Sequence, residues 1–183
     1  MGTSPLGRTL VIANPAANRG EGAEGAAFVQ RFLDSYRSAT TSHELILTKA
    51  AGDAENLARE AQGFDSVIAL GGDGVIHEVV NGLMGRKASD RPELGIVPMG
   101  SGNDYARTLG MAINDPSQAL AQLVRGHATP LEVGRVNGVY FMETLSFGMD
   151  AAIALDTVRR RQEETTSQHG EGLFITSGIR IFS

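Results

Sequence analysis

The chain has 183 residues, with 23 glycines and neither cysteine nor tryptophan. At 42% apolar and 20% charged, with a formal charge of −5, it excludes a disordered or fibrous chain and gives no electrostatic reason to expect nucleic acid. Without cysteine there is no disulfide framework and no thiolate zinc site, which suits a reducing cytoplasm.

Met1–Arg8 has no basic stretch leading into an apolar one, so no signal peptide is expected, and Leu6 stands where a myristoylation pattern needs Ser or Thr. No run approaches the ~20 apolar residues of a membrane span, so any meeting with a membrane is from the water side. Arg8–Ala13 is a short apolar run cut by Asn14-Pro15, a strand followed by a loop. Ala23–Leu33 carries Ala27, Phe28 and Phe32 at helical spacing, and His43–Thr48 reads as a second strand. Asp53 is placed to cap a helix running to about Gln62, where Gly63 stops it. Ser66–Leu70 is a third strand ended by Gly71-Gly72, and Val75–Met84 is a helix with an apolar stripe. Glu93–Val97 is a fourth strand ended by Pro98, followed by helices near Asp104–Leu109 and Ser117–Arg125. Fully apolar strands alternating with amphipathic helices predict a parallel sheet covered on both faces, with ligands beyond the carboxyl ends of its strands.

Near Gly126 the rhythm changes. Leu131–Val136 and Val139–Thr144 flank Asn137-Gly138, the strongest short hairpin signal, so an antiparallel section begins there. Met149–Arg160 reads as a helix running into Arg159–Arg161. Ile175, Ile179, Ile181 and Phe182 need something to bury against, either by docking on the domain or because the natural chain continues. The expected division is 1–127, an α/β domain, and 128–183, the opening part of a β-rich second domain.

Two loops carry candidate chemistry. After the third strand comes Gly71-Gly72-Asp73-Gly74, then a helix. Glycines let backbone amides turn sharply and approach a ligand, and with a helix N-terminus behind them they form an anion site. A carboxylate there repels phosphate unless it holds Mg²⁺ or accepts a proton from an attacking hydroxyl; both readings of Asp73 stand, and a plain helix cap does not need three flanking glycines. After the fourth strand Pro98-Met99-Gly100-Ser101-Gly102-Asn103-Asp104 repeats the arrangement. Ser101 and the Gly100 and Gly102 amides are candidate phosphate contacts, and Asp104 is a second metal carboxylate or an N-cap. The literal G-x-G-x-x-G of Gly20, Gly22 and Gly25 is rejected as a dinucleotide fingerprint, because Asn14–Arg19 separate it from the strand and Glu21 would face the phosphates. His77 reads as an exposed polar residue.

These residues resemble the diacylglycerol kinase catalytic-domain family, which includes bacterial soluble lipid kinases and sphingosine kinases. The resemblance lies in Asn14-Pro15, in GGDGVIHEVVNGL from Gly71 to Leu83, in PMGSGNDYAR from Pro98 to Arg107, and in LEVGRVNGVYFMETLSFGMDA from Leu131 to Ala151. GGDG alone would also suit NAD kinases and phosphofructokinases, whose sheet the first domain is expected to share. The resemblance implies ATP and Mg²⁺, with the γ-phosphoryl group passed to a lipid hydroxyl such as that of diacylglycerol. It implies that Asn14 and Pro15 lie near the nucleotide and that Gly71, Gly72 and Gly74 wrap its phosphates. Asp73 becomes the key acid, with Glu78 and Asn81 supporting the loop. Gly100, Ser101, Gly102 and Asn103 become nucleotide contacts, with Asp104 alongside. The sequence departs from the family in three ways. Val75 replaces the usual Thr, and Glu132 replaces an Asp that the metal or a water could use. The family's second domain also runs well beyond Ser183.

The expected partners are a lipid substrate at a membrane surface and no nucleic acid; a homodimer is left open. The expected location is cytoplasmic, extending to the inner membrane face. Arg159–Arg161 could meet anionic headgroups, but Glu163 and Glu164 follow at once, so a solvated helix end is preferred. A kinase for a small soluble acceptor such as NAD, and a nucleotide-binding module without turnover, are the competing readings.

Overall fold

A computed structural model of the chain describes residues 5–36, 38–162 and 171–182. In the unit Met1–Met142, β1 (Arg8–Ala13), β2 (Ser42–Leu47), β3 (Ser66–Gly71) and β4 (Glu93–Pro98) form one sheet in the order β2-β1-β3-β4. Every neighbouring pair is parallel. β1, β3 and β4 are largely apolar because both of their faces are covered, and every residue of β3 is buried, whereas β2 at the sheet edge has no fully buried residue. Leu10 and Ile12 point to one layer and Val11 and Ala13 to the other, as the twofold alternation of a strand requires.

On the first face lie α2 (Asp53–Arg59), α3 (Asp73–Met84) and α4 (Asp104–Thr108); on the second lie α1 (Glu21–Ser35) and α5 (Pro116–Arg125). Ile76 and Val79 of α3 and Val29 and Leu33 of α1 are essentially fully buried, each contributing about 1.5–3 kcal/mol. Gly82 lets α3 approach α2, because a Cβ there would run into the Glu55 carbonyl. The strand order reverses between β1 and β3, so the loops leaving their carboxyl ends part to either side of one crevice.

Several boundaries move from expectation. A short 3-10 turn, Ala17–Gly20, precedes α1, which starts before Ala23. α2 stops at Arg59 rather than near Gln62. Its N-cap is Gly52 in a left-handed conformation, while the Asp53 carboxylate accepts the Lys49 and Ala50 N–H groups of the preceding loop. α5 is capped by Asp115, which accepts from the Gln118 N–H at 3.0 Å.

β5 (Gly134–Val136) and β6 (Val139–Phe141) form the expected hairpin, shorter than the flanking apolar runs. Asn137 and Gly138 have φ of 48° and 88°, as a type I′ turn requires. Val133, Tyr140 and Met142 pack against the core of the first face, so the hairpin belongs to the first unit. The division thus falls after Met142, where the sequence expects one near Ala128.

The unit Glu143–Ser183 contains α6 (Met149–Gln162) and α7 (Glu171–Phe182), the second a helix the sequence reading does not foresee. Ile153, Thr157 and Ser177 are buried, and a Cβ added at Gly178 would make ordinary van der Waals contact with Ile153. The described residues of α7 at this contact, Ser177 and Gly178, are small. Ile175, Ile179 and Ile181 remain exposed, so docking, one of the two alternatives the sequence leaves open for them, is not met within this unit. Arg160 donates to the Thr176 and Ser177 hydroxyls, which favours the helix-end reading over a headgroup contact. Glu163 and Glu164, and the side chains of Arg161 and Phe182, lie outside the described residues.

Candidate active site

The loops leaving β1, β2 and β3 enclose a cavity of about 380 Å³. Asn14, Pro15 and Ala16 line it from β1, Thr48–Ala51 from β2, and Gly74, Val75 and Glu78 from α3, with Ala54 between. The walls are fastened by backbone bonds, Asn14 N–H to the Leu70 carbonyl at 3.0 Å and Thr48 N–H to the Ala13 carbonyl at 2.8 Å. The Asn14 side chain accepts the Ala16 N–H at 2.9 Å and so holds the first loop in its turn. The floor is the N-terminus of α3, where helix amides and the macrodipole favour an anion. Lys49 adds a cation to the wall and Glu78 a carboxylate, which also accepts the Ala54 N–H at the start of α2 at 3.1 Å. Thr48 and Lys49 are missed by motif reading; their only signal is their place just past a strand's carboxyl end.

Gly74 is the most informative glycine. It lies in the first turn of α3 and lines the cavity, and a Cβ built there meets nothing within 4 Å. The fold has no steric use for glycine at this position, where it weakens the helix by roughly 0.5–1 kcal/mol relative to Ala. Val75 is nearly buried and closes over Gly71, putting methyl groups where a hydroxyl is expected.

Beside the cavity the two glycine-rich loops meet backbone to backbone. A Cβ on Gly100 would come 2.5 Å from the Gly72 Cα and 2.8 Å from Asn103 Oδ1. Asp73 binds the second loop: Oδ2 accepts the Asn103 N–H at 2.8 Å and Oδ1 the Tyr105 N–H at 3.4 Å. Asp73 thus caps α4 rather than its own helix, which has no side-chain cap. The Gly100 peptide is held on both sides. Its N–H donates to Asn114 Oδ1 at 3.0 Å, and its carbonyl accepts from Asn103 Nδ2 at 2.7 Å. The Gly100 amide expected to meet phosphate is therefore already engaged by Asn114, a residue the sequence reading passes over. Asn103 is fully buried, has φ of 58°, and its Oδ1 has no partner. Ser101 is exposed.

Gly102 lies between two carboxylates. The position of a Cβ there is 2.9 Å from Asp73 Oδ2 and 3.5 Å from Asp104 Oδ2, so glycine leaves open the gap they flank. Mg²⁺ commonly takes one or two carboxylates together with phosphate oxygens and waters, and this pair fits that pattern. Glu132 stands exposed before the hairpin, and among the described residues no three acidic or histidine side chains group as metal ligands. Asn81 does not line the cavity; it faces the hairpin. No helix among the described residues is long and apolar enough to cross a membrane.

The family described as diacylglycerol kinase catalytic domain matches residues 8–136. A diacylglycerol kinase of Bacillus subtilis is 38% identical over 151 residues, covering 81% of this chain and 48% of that protein. One from Staphylococcus aureus is 38% identical over 112 residues, covering 60% of this chain and 35% of that protein. A crystal structure of a diacylglycerol kinase from Bacillus anthracis aligns with a TM-score of 0.64 and 31% identity, over 74% of this chain and 45% of that one. The chain therefore spans about half the length, or less, of the relatives it matches.

Proposed function

The chain belongs to the family of diacylglycerol kinase catalytic domains, and on that premise we propose that it carries the nucleotide-holding part of an ATP- and Mg²⁺-dependent lipid kinase. The reaction proposed is transfer of the γ-phosphoryl group of ATP to a hydroxyl of diacylglycerol. The hydroxyl oxygen forms the new bond to the γ-phosphorus as the bond to the β–γ bridging oxygen breaks. ADP leaves with that electron pair, and the hydroxyl proton goes to the Asp73 carboxylate. Such a transfer needs mainly positioning and charge neutralisation. The α3 N-terminus, the Gly74 gap and Lys49 offer those to the phosphates, and the Asn14 and Thr48 backbone bonds fasten the cleft walls in place. In the alternative role for Asp73, it and Asp104 would hold Mg²⁺, which when bound neutralises phosphate charge.

Gly74 carries this reading, because it accepts a helix penalty where an added side chain would enter open space lining the cleft. The corresponding test is Gly74→Ala. Stability against urea should rise by up to about 1 kcal/mol, while affinity for Mg-ADP in calorimetry should fall by at least about tenfold. An alanine variant that binds Mg-ADP like the parent would sink the phosphate reading of this cleft.

One observation favours a second reading, a nucleotide-binding module without turnover: both Asp73 oxygens already accept N–H bonds. A carboxylate keeps lone pairs beyond those two bonds, so the two readings part on turnover, not on geometry.

A further inference from the structure

The β5–β6 hairpin poses a backbone problem. In a two-residue type I′ hairpin the residues flanking the turn, here Val136 and Val139, form the hydrogen-bonded pair. The next pair, Arg135 and Tyr140, is then of the non-bonded kind, and the Tyr140 N–H and carbonyl point away from β5. Tyr140 is half-buried against the core of the first face, where unpaired backbone groups are unfavourable. In a larger sheet a third strand would take both groups. Here one side chain does. Asn81 Oδ1 accepts the Tyr140 N–H at 2.8 Å, and Asn81 Nδ2 donates to the Tyr140 carbonyl at 3.0 Å. The second Nδ2 hydrogen goes back to the His77 carbonyl at 2.9 Å, which fixes the amide plane on α3. Only this orientation of the amide satisfies all three bonds.

We propose that Asn81 is a positioning residue whose side-chain amide stands in for a neighbouring strand, locking the hairpin onto α3 in a single register. An isolated two-stranded hairpin is marginal in water, and a shift of one residue would turn Tyr140 off the core. With the clamp in place, the chain leaves the first unit after Met142 from a point indexed to α3. The N-terminus of that helix is the phosphate floor of the proposed kinase; this last link rests on the function proposed above, and the clamp itself does not.

The test is Asn81→Ala, a change that favours helix, followed by amide hydrogen exchange and Mg-ADP calorimetry. Exchange at Tyr140 should accelerate at least about tenfold, with the amides of β1, β3 and β4 unchanged and Mg-ADP affinity within about twofold of the parent. Unchanged protection at Tyr140 overturns the clamp. So does a uniform loss of protection, which would make Asn81 a contributor to overall stability alone. Weakened Mg-ADP binding with Tyr140 still protected would return Asn81 to the nucleotide site and also overturn it. A parent protein that fails to bind Mg-ADP would refute the nucleotide reading, while Tyr140 exchange would still decide the clamp.

Discussion

At the amino ends of the strands, Thr9, Thr40 and Ser66 are buried and their hydroxyls are paired. Ser66 donates to the Leu6 carbonyl at 2.7 Å and Thr40 to the Gly7 carbonyl at 2.6 Å. At the carboxyl ends Asn103 is equally buried, yet its Oδ1 has no partner. The left-handed residues differ in the same way. Asn18, Arg19 and Asn103, none of them glycine, hold positive φ in the loops beyond β1 and β4. Cavity size points the other way, since the amino end has a cleft of about 1170 Å³ against about 380 Å³ at the carboxyl end. The guanidinium groups in the larger cleft are already occupied. Arg86 donates to the Arg59 and Asp90 carbonyls, and Arg91 to the Arg86 carbonyl, so they finish helix ends. Strain and an unpaired buried atom, more than volume, set apart the end of the sheet proposed to take the nucleotide.

The most severe way to break this contrast is Asp73→Asn. Asn keeps one oxygen for the Asn103 N–H but brings an amide donor toward the Tyr105 N–H and cannot take a proton at neutral pH. Turnover of radiolabelled ATP with diacylglycerol by the whole gene product should drop by roughly a hundred- to ten-thousand-fold. Turnover within tenfold of the parent would remove Asp73 from the chemistry and leave it as the cap of α4. Loss of turnover with Mg-ADP binding kept would separate the chemical role from the architectural one.

The two ends also differ in how much of them the sequence discloses. β1, β3 and β4 are legible to within a residue, because each is an apolar run stopped by Asn-Pro, Gly-Gly or Pro. The glycine-rich loops are legible for a related reason: glycine advertises a backbone need. What those loops bind to within the protein is not. Asn114 reaches Gly100 and Asn81 reaches Tyr140 across gaps that no local pattern encodes, 59 residues in the second case. α7 misleads because its isoleucines look like core, whereas Ile175, Ile179 and Ile181 are exposed and Ser177 is buried. Asp53 misleads because an acid before a helix looks like a cap, and only the fold shows it serving the loop behind it.

A smaller effect should come from the amino end. Ser66→Ala removes the donor to the Leu6 carbonyl and leaves that buried region one hydrogen bond short, at a cost of about 1–3 kcal/mol. The urea midpoint should fall accordingly, and Mg-ADP affinity should not change, because no residue of this network lines the carboxyl-end cavity. A Ser66→Ala variant that bound nucleotide markedly less well would mean the two ends are not independent.

The smallest effect is set by pH. The N–H of Lys49, and then that of Ala50, hold the Asp53 carboxyl below its ordinary value of 3.8. The backbone and side-chain N–H groups of Gln118 do the same for Asp115. Both groups are depressed in the folded state. Their stabilisation is therefore present above the ordinary carboxylate value and disappears as pH falls through the lowered folded values. Both are exposed, so the contribution is small and salt-insensitive hydrogen bonding should dominate it over screened charge. Urea midpoints measured near neutrality and again at about pH 3 should differ less for a double variant, Asp53→Asn with Asp115→Asn, than for the parent. An equal gap in both proteins would show that these caps contribute nothing to acid sensitivity. Between the single variants, only Asp53→Asn should also alter nucleotide affinity, since Lys49 and Ala50 line the cleft and the loop after β2 depends on that carboxylate for its shape.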